Sequence, residues 1–309
     1  MSGGRPEDDT VSTQGDMINI IGCGRAAGSL AQLWGQANCV GIGGVMNRGQ
    51  ESSLRAVNKL GAGTALTSLP SFVPARYWLI GTSDEQIAPV AANLGRAPID
   101  LQDCVVFHLC GRHGSDILSP LKSRGCSIAA IHPVRSLTHE RISLRDFEGT
   151  ACVAEGSDES LDALRVLFQS IGGVWLPVRD IDRGLYHAAV SIISNVTKAV
   201  AWKAQNWLVS AGLEADMAVA VTHKLLSSTM EDVARSGASQ SITGPVVRGD
   251  TSTIEAHLLA LEAGHREDLD IYRVLARTVL ELARERGDLD ALTLARFEDL
   301  LGGSTAVQD

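Results

Sequence analysis

Met17-Ile18-Asn19-Ile20-Ile21-Gly22-Cys23-Gly24-Arg25-Ala26-Ala27-Gly28 is the stretch whose reading decides the fold. An apolar, isoleucine-rich run enters the spacing G-x-G-x-x-A, and a helical pattern over 27–37 follows. Strand, glycine turn and helix in that order are what a dinucleotide-binding fingerprint requires. Gly22 makes the tight turn, Gly24 lets backbone approach a pyrophosphate, and Ala27 or Gly28 permits close helix–sheet packing. The helix N-terminus at Arg25, Ala26 and Ala27 then faces the phosphate charge. The end of the second strand reads Val45-Met46-Asn47-Arg48-Gly49-Gln50, with no carboxylate before Glu51. A guanidinium at Arg48 suits a ribose 2′-phosphate, and Asn47 can add a neutral hydrogen bond. The expected cofactor is therefore NADP(H) in preference to NAD(H). A solvated turn arginine is the alternative for Arg48.

Outward from this turn, strand-like runs at 39–46, 77–82, 104–109, 127–132, 150–155 and 174–178 alternate with helical stretches at 50–60, 86–94, 115–124 and 158–171. The alternation implies an α/β fold with a doubly wound parallel sheet, and strands apolar on both faces fit burial between two helical layers. After Val178 the strand signal ends. One long helical pattern covers Asp182–Ala211 and another Glu214–Arg235; the loop 237–250 is rich in glycine. Ser252 and Glu255 have capping-box spacing ahead of a helix 252–263, and His265–Arg286 and Leu289–Leu301 follow. The expected organisation is a tail at 1–16, a Rossmann domain at 17–179, an all-α domain at 180–301 and a tail at 302–309.

Composition narrows the classes. With 309 residues, 45% hydrophobic and 20% charged, the chain has material for about two packed domains. A net charge of −9 leaves no footprint for nucleic acid or an anionic membrane, and no apolar run is long enough to span a bilayer. The polar start lacks a signal core. Six cysteines without a C-x-x-C pair read as reduced, packed thiols, with the cytoplasm as the expected compartment. The histidine spacings give no metal motif.

On the helical pattern after 182, His187, Ser191 and Asn195 recur at i, i+4 and i+8, with Lys198 extending the line. A polar stripe on so apolar a helix faces water or a cleft. In the functional reading it looks into an interdomain cleft where a nicotinamide meets its substrate. His108 and His132 end two strands, where ligands bind in such sheets. His132-Pro133 reads equally well as a rigid turn with a packed imidazole. Thr82 and Ser83 are placed on the ribose side of the cofactor, Asp84 there or as a helix cap, and Gly111 beneath the nicotinamide. Thr243 and Arg248 could bind a substrate carboxylate, although Arg248 could simply pair with Asp250.

A Rossmann domain followed by an all-helical domain resembles the superfamily of pyrroline-5-carboxylate reductase, ketopantoate reductase and 6-phosphogluconate dehydrogenase. Four segments resemble more closely a family of Rossmann-like proteins with a helical C-terminal domain of unknown function. They are His108 to Ser115, His132-Pro133-Val134, Tyr186-His187-Ala188-Ala189 leading to Ser194-Asn195, and Thr243 to Asp250. The resemblance implies an NAD(P)-dependent oxidoreductase of the keto- or imino-acid reductase type acting on a small-molecule substrate. Many relatives in the wider superfamily carry a lysine one turn before the helix asparagine, whereas this chain has Ser191. That departure points to His187 as proton donor, with Ser191 and Asn195 orienting the substrate. It also supports the alternative of a non-catalytic NADP-binding sensor. The apolar content of the helical domain, together with the resemblance, implies a homodimer through it.

Overall fold

The computed structural model describes residues 15–137 and 141–302. Most of the expected tails at 1–16 and 302–309 lies outside these residues. Asp16 is described and is ordered: its carboxylate pairs with Arg76 at 2.9 Å and its carbonyl accepts from Gly41 N–H.

Eight strands form one sheet: β1 (Met17–Ile21), β2 (Gly41–Met46), β3 (Thr64–Leu66), β4 (Tyr77–Ile80), β5 (Val105–His108), β6 (Ser127–Pro133), β7 (Ala151–Gly156) and β8 (Val174–Pro177). Their order is β3-β2-β1-β4-β5-β6-β7-β8. Successive residues of each strand serve opposite layers. Tyr77, Leu79 and Phe107 pack with α1 (Arg25–Ala37), flanked by α2 (Gln50–Leu60). Trp78, Ile80 and Val106 pack with α3 (Asp84–Arg96) and the 3-10 segment Ser115–Arg124. Past the short helix α4 (Leu144–Phe147), α5 (Asp158–Gln169) completes the first layer with Leu164, Leu167 and Phe168. The doubly wound α/β expectation holds.

Three details correct the sequence reading. The sheet is not wholly parallel: β7 pairs antiparallel with β6. Only the four-residue α4 lies between them, so no long crossover helix carries the chain back to a parallel start. The stretch 115–124 is a 3-10 segment, with Pro120 removing a backbone donor from its interior. Asp84 is a first-turn residue of α3, and Ser83 holds the N-cap position.

From Arg183 the chain is helical without a break to Ser210: α6 (Arg183–Ser191), a π segment Ile192–Val196, and α7 (Thr197–Ser210). Then come α8 (Ala215–Ser236), α9 (Ala238–Ser241), α10 (Thr251–Gly264), a 3-10 turn, α11 (Leu269–Arg286) and α12 (Ala291–Leu300). Asp250, not a Ser252–Glu255 box, caps α10; its carboxylate accepts from Thr253 N–H at 3.1 Å and from the Thr253 and Ser252 hydroxyls. Asp250 is thereby engaged as a cap, and forms no ion pair with Arg248 among the described residues.

The chain divides into compact units between Val196 and Thr197, further on than the change of sequence character at 178–182. Contacts from α6 to β6 and β7, described below, hold it in the first unit. The second unit has its own core of Val246, Ile254, Leu258, Leu280 and Phe297. Within it, buried Asp268 accepts from Lys203 Nζ at 2.5 Å and from Trp207 Nε1 at 2.9 Å, which holds its carboxyl below the usual range. No disulfide joins the six cysteines, all of which lie in the first unit. Among the described residues no helix is long and apolar enough to cross a membrane.

Candidate active site at the carboxyl ends of the strands

The strand order reverses between β1 and β4, and ligands of open α/β sheets bind outside the strand ends at such a point. The glycine turn sits there. Gly22 has φ +86°, a conformation that side-chain-bearing residues rarely adopt. A Cβ on it would stand 2.6 Å from Thr82 Cγ2, and one on Gly81 would stand 2.4 Å from Ala27 Cβ. The close helix–sheet packing expected of Ala27 is thus made against Gly81. Gly24 is different: a Cβ there would meet only Gly81 O at 3.7 Å, so it leaves room on the side away from the sheet.

These residues fit a dinucleotide. The first turn of α1 carries no acidic residue and no capping side chain, whereas α2, α3, α4 and α5 each carry at least one acid there. The first-turn N–H groups of α1 and the side chain of Arg25 therefore present net positive character. Thr82 Oγ1 is buried beside Gly22 and finds no partner among the described residues. Arg48 is exposed after β2 and forms no ion pair among those residues; Glu51 is taken by Arg55. The side chain of Asn47 is engaged within the protein. Its Oδ1 accepts from Cys23 N–H at 2.7 Å and its Nδ2 donates to Ser52 O at 2.9 Å, bracing the glycine turn against α2. Burial pushes the Cys23 thiol up to about 11, so it stays protonated at neutral pH.

A second cluster lies at the ends of β5 and β6. His108 is fully buried; its Nδ1 accepts from Cys110 N–H at 3.1 Å, and its Nε2 donates to Gly114 O at 3.1 Å. Burial lowers its pKa to about 4, and both nitrogens of the neutral ring are occupied in shaping the loop 109–114. His132 is half-buried. Its Nδ1 lies 2.7 Å from the Tyr186 hydroxyl, and burial, with His187 and Arg183 adding to it, lowers its pKa to about 4. Gly111 is required here, since a Cβ on it would stand 2.8 Å from the His132 ring. On β7, Glu155 accepts from Arg183 Nε at 2.9 Å and, through its other oxygen, from Ser115 N–H at 3.2 Å.

Thr82, Ser83, Gly111 and His132 thus gather on the strand ends. His187 neighbours His132, and the side chains of Ser191, at the end of α6, and Asn195, exposed in the π segment, have no hydrogen-bond partner among the described residues. Thr243 and exposed Arg248 belong to the second unit. There His265, Glu267 and Asp268 also lie within 4.8 Å of one another, with Asp268 already engaged by Lys203 and Trp207. Sequence reasoning missed Arg183 and Glu155, and quoted Tyr186 without a role.

The strand order 3-2-1-4-5-6 with a glycine turn at its reversal defines a Rossmann-type dinucleotide-binding unit. The chain couples a Rossmann-like domain, matched over residues 3–133, to a domain of unknown function, DUF2520, matched over 150–279. No curated protein matches the sequence. Among solved structures, a candidate NADP oxidoreductase from Bacteroides fragilis superposes with a TM-score of 0.69 at 20% identity, covering 87% of this chain and 100% of that one. A Thermotoga maritima protein gives 0.66 at 24% identity, covering 87% and 97%. Pyrroline carboxylate reductase from Plasmodium falciparum, with NADP bound, gives 0.57 at 11% identity, covering 93% and 99%. What they share with this chain is the fold.

Proposed function

We propose that this protein is an oxidoreductase that uses NADP(H) in preference to NAD(H) to reduce a C=O or C=N bond of a small carboxylated substrate. The observation that carries the reading is the Gly22 turn, wedged against Gly81 and Thr82 beside an α1 N-terminus free of acids. The fold neighbours described as an NADP oxidoreductase and as a pyrroline carboxylate reductase support it. The bound dinucleotide supplies the hydride. Gly22, Gly24 and the N–H groups of Arg25, Ala26 and Ala27 hold its pyrophosphate, and Arg48 its 2′-phosphate. Thr82 and Ser83 serve the ribose, and Gly111 keeps the loop close to the nicotinamide. His187, Ser191 and Asn195 offer hydrogen bonds to the substrate, with His132 as a further group of the same unit.

A parallel fluorescence titration with NADPH and NADH tests this. Arg48→Ala is expected to weaken NADPH binding by about tenfold or more, the worth of a charge-assisted hydrogen bond, and to leave NADH unchanged. Binding of neither dinucleotide would remove the reading.

The second unit is proposed to form a homodimer. Trp202, Leu225 and Leu259 are each more than half exposed, at 58%, 64% and 67%. Leu225 also lines an apolar cavity of about 930 Å³ between helices of that unit. Apolar surface on this scale is a mark of association.

A further inference from the structure

The pair Tyr186–His132 has the build of a reactive group, not of packing. The phenol hydroxyl lies 2.7 Å from Nδ1 with the rings edge to face, 5.7 Å apart at 88°. Three elements fix it: β6 carries His132, the loop after β5 rests Gly111 on the imidazole, and α6 carries Tyr186. The Arg183 guanidinium stands 5.9 Å from the Tyr186 ring centroid. Its side chain is nine-tenths buried, and Glu155 anchors it through Nε and Nη2 while Nη1 has no partner among the described residues. Burial raises the pKa of the Tyr186 phenol, which keeps the proton available for donation, and the Arg183 guanidinium opposes part of that rise. The His187 imidazole, in contrast, forms no hydrogen bond among the described residues.

We propose that Tyr186 is the residue that hands the proton to the carbonyl oxygen or imine nitrogen of the substrate, with His132 as its positioning and relay partner. The inference rests on the oxidoreductase reading above. As the substrate carbon receives the hydride, the π pair of its C=X bond moves onto X. The Tyr186 O–H bond breaks and the X–H bond forms. His132 Nδ1 then returns a proton to the tyrosinate while Nε2 takes one from solvent, so the imidazole ends neutral. Its pKa of about 4 keeps it in that form at neutral pH. Arg183, His187 and Asp84 are the charged or titratable neighbours that act on the pair.

The chain has three tyrosines, so ring-carbon-labelled tyrosine gives three NMR signals, assigned with Tyr→Phe variants. The NADP⁺-loaded protein is titrated with oxamate, standing in for a 2-oxo acid, and with pyrrole-2-carboxylate, standing in for a cyclic imino acid. At least one is expected to bind and to shift the Tyr186 signal while leaving that of buried Tyr77 in place. Tyr186→Phe, which keeps the ring beside Arg183, is expected to weaken that binding about tenfold with the thermal midpoint and NADPH affinity unchanged. His132→Gln, which retains the phenol, moves the Tyr186 titration midpoint and weakens the same analogue; it serves alone if Tyr186→Phe does not fold. Protein that binds NADP⁺ but neither analogue, or a variant that binds the analogue as wild type does, overturns the proposal. Protein that binds no dinucleotide removes the oxidoreductase reading itself.

Discussion

Gly81 shows how much of the site depends on a missing methyl group. Its substitution by alanine would place Cβ 2.4 Å from both Ala27 Cβ and Gly22 O. Neither the helix nor the turn can yield without moving the other, so Gly81→Ala is expected to cost about 1–3 kcal/mol, read from the urea midpoint. His108 acts through protonation. Its folded pKa of about 4 lies below the unfolded value of 6.5, so between those values the unfolded chain binds more protons. Its contribution, about 3 kcal/mol, is present in full above pH 6.5 and is lost as pH falls toward 4. Urea unfolding across that range should show the loss, and His108→Gln should flatten it. At this scale the turn at Gly22 and the close packing of Ala27 were legible, because a turn motif constrains near neighbours in sequence. The contacts of Asn47 were not, since its partner Cys23 sits across the turn. Arg183 and Glu155 were not legible: their meeting depends on the antiparallel return of β7.

At the scale of elements, continuous apolar runs made seven of the strands readable, and β3 escaped because Thr64–Leu66 is too short to form one. The π segment was also invisible. A stripe at i, i+4 and i+8 assumes unbroken α geometry, but the i→i+5 bonding of Ile192–Val196 changes the rotation between Ser191 and Asn195. His187, Ser191, Asn195 and Lys198 therefore do not follow a single α-helical face. The cap of α10 gives a direct check. Asp250→Ala removes the acceptor of Thr253 N–H and should lower stability by about 1 kcal/mol, a shift calorimetry can resolve. Ser252→Ala, which deletes the hydroxyl of the expected capping box but leaves the Asp250 cap, should cost less.

For the whole molecule, the two units carry different chemistry on their surfaces. The first carries the polar strand ends and also exposes Leu185 and Ile193 late in its chain; the second exposes leucine, methionine and tryptophan along α7, α8 and α10. A charge placed in that apolar surface should cost the proposed dimer its cohesion. Leu225→Glu is expected to sediment as a monomer while wild type sediments as a dimer, with dinucleotide binding retained in both. A monomeric wild type would dismiss the dimer.

The six thiols have one more consequence. All reside in the first unit, and burial raises the pKa of each, to about 12 for Cys126 and Cys152. An alkylating reagent that needs the thiolate is therefore held off while that unit stays closed. The second unit holds no cysteine, so thiol modification is a chemical clock for the opening of the first unit alone, read without introducing a label.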